Sequence, residues 1–271
     1  MCMRGSGNAP VVSALDSVAG PANNTRVKIF CITVALLGLC GGLGAAETNA
    51  PAKKGVAGSL EVARALKASW YYNWGPKGAS EPGLEFVPMI KGKAHVNDRT
   101  LEAIKASGAK TLLCFNEPER ATQGNATVEE VLDLWPKLMA TGLRLGSPAP
   151  SSDGQGVAWL EQFMAGVKKR KLRVDFIAVH WYRSAREDEF QRWLRSLKAK
   201  WDRPIWVTEF NAYYTKDDKD RFAERAFKML DRERVVERYA YMDCGPGTPG
   251  GLWKDATRQT PSDLGLKYRD R

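Results

Sequence analysis

Residues 175–210, DFIAVHWYRSAREDEFQRWLRSLKAKWDRPIWVTEF, contain two short apolar runs, DFIAVHWY (175–182) and PIWVTEF (204–210). Between them, 187–200 is charged but repeats its apolar residues at the 3.6-residue helical period. Runs that are apolar on both faces mark parallel strands covered by crossover helices. The unit reads strand, helix, strand.

The same alternation continues in both directions. SWYYNW (69–74), LEFVPMI (84–90), AKTLLCF (109–115), LRLGSPA (143–149) and ERYAYMD (237–243) are further strand candidates, with helices expected at 98–107, 127–141, 157–169 and 218–232. That makes seven strands, with an eighth expected between residues 84 and 109 or before Trp70. Seven strands so arranged in about 225 residues indicate an α/β protein, a compact single-domain (β/α)8 barrel of the TIM type, rather than an open doubly wound sheet. No GxGxxG or P-loop motif follows a strand, which weakens a nucleotide-binding reading.

The barrel accounts for only part of the 271 residues. IFCITVALLGLCGGLG (29–44) is uncharged, follows Arg26 and Lys28, and leads into Gly44-Ala45-Ala46, the pattern of a secretory signal peptide. It is short for a membrane span, which needs about 20 apolar residues. Residues 1–46 are therefore expected to be an N-terminal extension plus signal peptide, removed on export, with translation starting at Val27 as one explanation of the Gly/Ser/Asn/Pro-rich stretch before it. Residues 47–64 read as a linker or N-terminal segment and 65–271 as the barrel. The expected location is secreted or periplasmic, with no stable membrane insertion after cleavage.

Loss of residues 1–46 removes Arg4, Arg26 and Lys28 against Asp16, so the net charge falls from +10 to +8. It leaves two cysteines, Cys114 and Cys244, equally compatible with free thiols and with one disulfide. The basic run KKRKLR (168–173) closes a helix, where positive charge complements the helix dipole. No stripe of Lys and Arg interleaved with exposed aromatics suggests nucleic acid.

Functional residues of such barrels gather at the C-terminal ends of the strands. Those ends are Asn73-Trp74, Asn116-Glu117, Ser147-Pro148, His180-Trp181-Tyr182, Glu209-Phe210-Asn211 and Asp243. In PIWVTEF the period of two puts Glu209 on one face with Ile205 and Val207, and turns Trp206 and Phe210 outward to the helices. A carboxylate in a buried row is costly unless partnered or functional. Glu117 precedes Pro118, which disfavours helical geometry and is expected to hold Glu117 extended. Two carboxylates on different strands at one barrel mouth can cleave a glycosidic bond. The two histidines, His95 and His180, stand apart with no HxH or HExxH spacing, and there is no GxSxG elbow. No metal or cofactor is expected. Trp70, Tyr71, Tyr72, Trp74, Trp181, Tyr182, Tyr213, Tyr214 and Trp253 include several rings suited to stacking on a pyranose.

Taken in order, SWYYNW, EFVPMI, LLCFNEPE, GSPA, AVHWY and PIWVTEF resemble glycoside hydrolase family 128 over roughly residues 68 to 268. The resemblance implies a secreted (β/α)8 enzyme that cleaves β-1,3-glucan with retention. It implies Glu117 as acid/base and Glu209 as nucleophile, with Asn116 on the sugar 2-hydroxyl and His180 and Tyr182 positioning the nucleophile or lining the site. Asn73, Tyr72, Trp74, Trp181, Tyr213, Trp253 and Lys91 complete the expected substrate-binding set. The expected partner is a β-glucan polysaccharide or oligosaccharide, the expected state a monomer, and endo action is favoured, with exo action left open. Met89-Ile90-Lys91-Gly92 departs from the family pattern by losing an aromatic, and Lys91 could mark a substrate bearing negative charge. The segment MDCGPGTPGGLWKD (242–255) departs as well, with Trp253 as replacement stacking surface. The rival reading is a secreted glucan-binding barrel with little or no turnover.

Overall fold

The computed structural model describes residues 53–271. The signal-like segment, the Val27 start and Cys2, Cys31 and Cys40 lie outside the described residues. The strands are β1 (Lys54–Ala57), β2 (Trp70–Tyr72), β3 (Glu85–Phe86), β4 (Met89–Ile90), β5 (Thr111–Cys114), β6 (Arg144–Leu145), β7 (Ile177–Trp181), β8 (Ile205–Phe210) and β9 (Val236–Tyr241). Helices α1 (Leu60–Ala65), α2 (Asp98–Ala106), α3 (Val128–Met139), α4 (Gly154–Arg170), α5 (Glu187–Trp201) and α6 (Lys219–Arg232) alternate with them, and α7 (Asp263–Arg269) follows the last strand. The eighth strand of the expected pattern is β1, inside the stretch read as a linker or N-terminal segment. Its four residues, KGVA, are too short and too polar at one end to show a period.

All paired strands run parallel, in ladders ordered β3-β2-β1-β9-β8-β7 and β4-β5-β6. The regular ladders leave two seams. At the first, residues 84–90 form one strand bent at Val87-Pro88. The Val87 amide donates to Tyr71 O at 2.9 Å, whereas Pro88 O accepts from Leu113 N at 3.0 Å, so the segment changes partner where proline has no N–H to give. At the second, Asp175 N donates to Leu145 O and Ser147 N to Phe176 O, both at 2.9 Å, linking short β6 to β7.

Two layers of core follow. Trp70, Tyr72, Val87, Met89, Leu113, Ala149, Phe176, Ala178, Trp206 and Ala240 fill the space enclosed by the strands. Phe176 stacks on Trp206 with centroids 4.3 Å apart, and Trp70 lies 5.2 Å from the same indole. A larger cluster seals strands against helices, with Ile205, Val207 and Phe210 of β8 in it. The basic run 168–173 does close α4, where Arg170 pairs with Asp133 at 2.6 Å and Glu129 at 3.0 Å.

This partition corrects the phase expected for β8. Val179 pairs with Val207 but His180 pairs with Glu209, so Thr208 is an extra residue opposite β7, a β-bulge. The bulge reverses the alternation. Trp206 faces the interior, Ile205 and Val207 face the helices, and Glu209 leaves their row to reach the mouth, while Phe210 packs outward as expected.

Candidate active site

Glu209 is 6% exposed at the end of β8. Its Oε1 accepts from the Tyr72 hydroxyl at 3.1 Å and the Trp74 indole at 2.8 Å, and its Oε2 accepts from the Tyr182 hydroxyl at 2.6 Å. Three neutral donors thus converge on one carboxylate and stabilise its negative charge. Both tyrosines titrate well above the ordinary phenol value, first through burial and then through Glu209, and so remain donors.

Across the mouth, Glu117 follows β5 on a turn with unusual backbone. Its φ is +39°, and that of Phe115 is +53°, so Glu117 is left-handed rather than extended. Pro118 disfavours the right-handed helical basin, and the bond to the neighbouring strand selects among the others. Glu117 N donates to Ala149 O at 2.9 Å, and Glu117 O accepts from Arg120 N at 3.0 Å. Such a conformation costs roughly 1–3 kcal/mol and persists where the surroundings over-determine it.

His180 joins the two acids. It is fully buried, with Nδ1 3.2 Å from Glu117 and Nε2 3.7 Å from Glu209. Burial opposes its positive charge, but Glu209 and then Glu117 outweigh burial, and its pKa is raised above the usual 6.5. A cleft of about 590 Å3 opens over this group, lined by Glu117, Tyr182, Glu209, Tyr214 and residues of the β5 and β6 loops.

The expected residues divide into two sets. Asn116, Tyr72, Trp74, His180 and Tyr182 gather around the acids. Asn116 is buried beside Glu117, with Nδ2 3.4 Å from Gln123 and its Oδ1 unpaired. No described hydrogen bond or ion pair joins the other five to either acid. Trp181 alternates outward from His180 and stacks on Phe190 of α5 at 4.7 Å, a consequence of the strand period. Asn73 is bound into its own loop through Lys77 O and Gly75 N. Tyr213 is half-exposed beneath Lys219, whose Nζ lies 5.2 Å from its ring. Trp253 is buried, and with Trp74 it lines a smaller cavity of about 160 Å3. Lys91 follows β4, where its carbonyl accepts from Asn116 N at 3.0 Å. Cys114 and Cys244 are both free.

The cleft also contains Arg120, Ser151, Asp153 and Arg183, which strand-end reading passed over. Arg120 pairs with Asp153, tying the β5 turn to the β6 loop. These residues lie one to five positions beyond the ends of the apolar runs, outside the window in which periodicity points anywhere.

A sequence model described as the glycosyl hydrolase catalytic core matches residues 51–258. An endo-β-1,3-glucanase of family 128, subgroup I, from Amycolatopsis mediterranei, solved with laminaritriose, is 36% identical over 80% of this chain and 98% of its own, with a TM-score of 0.71. The chain belongs to glycoside hydrolase family 128. Other family 128 structures superpose similarly. A curdlan-specific exo-β-1,3-glucanase from Blastomyces gilchristii is 31% identical over 82% of this chain and 100% of its own, with a TM-score of 0.68. An endo-β-1,3-glucanase from Sorangium cellulosum is 25% identical over 80% and 98%, with a TM-score of 0.67. No curated protein matches the chain. Family 128 membership makes this chain a glycoside hydrolase and its strands a TIM-type barrel.

Proposed function

We propose that this chain is a retaining β-1,3-glucanase acting in endo fashion, with Glu209 as nucleophile and Glu117 as acid/base. The observation that supports it most directly is the asymmetry of the two acids. Glu209 accepts three hydrogen bonds from uncharged donors and is nearly buried, as suits a group that stays ionised and attacks. Glu117 has one described side-chain contact, His180, and its side chain is 18% exposed, on a turn beside the cleft, as suits a group that exchanges protons.

In the first step a Glu209 oxygen bonds to the anomeric carbon as the glycosidic C–O bond breaks, and Glu117 gives its proton to the departing oxygen. In the second, Glu117 takes a proton from water, the water oxygen bonds to the anomeric carbon and the glycosyl–Glu209 ester breaks. Two displacements restore the original configuration. Asn116, the residue before Glu117, is the partner of the sugar 2-hydroxyl in this reading.

The β-1,3 linkage and endo action are supported by likeness to the Amycolatopsis enzyme. Export is part of the same reading, supported by the signal-like segment 29–44. The decisive measurement is product analysis on laminari-oligosaccharides, with the anomeric configuration followed by NMR. Initial β-products from wild type, and turnover at background in Glu209→Gln, are expected. Binding without release of reducing ends would instead identify a glucan-binding barrel, and α-products would exclude retention.

A further inference from the structure

The turn that carries Glu117 holds a second buried carboxylate, Glu119, which the two displacement steps leave unused. Its side chain is 2% exposed. Oε1 accepts from Ser151 N at 2.8 Å and lies 3.6 Å from Arg120 Nε, while Oε2 is buried with no partner among the described residues. A buried carboxylate with one oxygen unpaired is a liability for folding, and such groups are retained where they have a task.

We propose that Glu119 is a positioning residue for proton transfer, fixing the strained turn so that Glu117 addresses the glycosidic oxygen; this rests on reading Glu117 as acid/base. Glu209 sits within β8, held by β7 and β9 on either side. Glu117 lies beyond the end of β5, in a left-handed conformation that local preference does not favour. The turn is held from outside by the bond from Glu117 N to Ala149 O and, two residues on, by the bond between Glu119 and Ser151. Gly124 packs on the same turn, its amide donating to Asn116 O at 2.8 Å, so the far side is closed. Loss of the Ser151 anchor frees the turn to relax and displaces the proton donor, while the nucleophile keeps its three donors.

Leaving-group dependence separates this from a general structural role. A glucosyl alkoxide needs a proton to depart, whereas dinitrophenolate departs without one, and kcat/KM reports the first displacement. Full-length wild type, Glu119→Ala and Glu119→Gln are assayed on laminarihexaose and on a dinitrophenyl β-laminaribioside, each at its own pH plateau. Glu119→Ala is expected to lower kcat/KM on laminarihexaose by about 10- to 100-fold, the scale of an ångström-level misplacement, and to spare the aryl glycoside. Glu119→Gln keeps an oxygen for Ser151 N–H and is expected to restore the oligosaccharide rate. If Glu119→Ala does not fold, Glu119→Asp, one methylene too short, carries the same expectation. Parallel losses on both substrates, or none on either, would overturn the proposal. Glu117→Ala in the same assay keeps the two questions apart. If it too fails to spare the aryl glycoside, the acid/base assignment falls and the proposal with it. If it spares that substrate and Glu119→Ala does not, only the proposal falls.

Discussion

The Tyr182 hydroxyl lies 2.6 Å from Oε2 of Glu209, the shortest of three described hydrogen bonds on that carboxylate and, among the described residues, the only one on that oxygen. A hydrogen bond to a charged group contributes about 1.5–3 kcal/mol. Tyr182→Phe is therefore expected to lower kcat/KM by roughly 10- to 100-fold, with circular dichroism near wild type and the melting temperature lowered by several degrees. An unchanged rate would mean that Tyr72 and Trp74 suffice to hold the nucleophile.

His180 sets a pH dependence of stability. Its folded pKa is raised above 6.5, so protonation favours the folded state. That contribution is fully present below about pH 6.5, the unfolded value, and is lost as pH rises through the higher folded value. Wild type is expected to lose melting temperature relative to His180→Asn as pH rises above about 6.5. Equal slopes in thermal scans of the two proteins would show that His180 does not charge on folding.

Tyr214 is 78% exposed, with its ring 6.0 Å from that of Tyr182 at the cleft wall. An exposed ring there offers a stacking face to a sugar and carries little of the core. Tyr214→Ala should raise KM for laminari-oligosaccharides about 5-fold, equivalent to roughly 1 kcal/mol of stacking, with kcat and melting temperature close to wild type. A loss confined to kcat would contradict this role.

Gly55 in β1 lies against the Trp70 indole, and a Cβ there would stand 2.2 Å from Cε2. The indole is fully buried and its Nε1 donates to Lys53 O at 3.0 Å, so it has nowhere to move. Gly55→Ala is expected to destabilise the barrel by about 1–3 kcal/mol, visible as a lower denaturation midpoint. A neutral result would mean that the interior layer around Trp70 repacks without cost.

The strand and helix alternation was legible because each run is governed by its own residues. DFIAVHWY and PIWVTEF are apolar on both faces, and 187–200 repeats at the helical period, whatever the rest of the chain does. Glu117, Glu209, His180 and Tyr182 were legible for a related reason, since polar and aromatic groups at strand ends stand out against apolar runs. β1 was not, because four residues carry no period. Trp181 and Trp253 were grouped with the sugar-facing aromatics on residue type, whereas their burial depends on α5 and on the segment after β9.

The βα order, the strand ends that form the mouth and the pair of glutamates there follow from periodicity and from the cost of burying charge, both readable along the chain. Tertiary structure decided which way the key side chains face. The Thr208 bulge exists only in register with β7, the left-handed turn at Glu117 only against Ala149, and the change of partner at Pro88 only between β2 and β5. A period of two is a local property of one strand, but its phase relative to the mouth is set by hydrogen bonds to neighbours that lie tens of residues away.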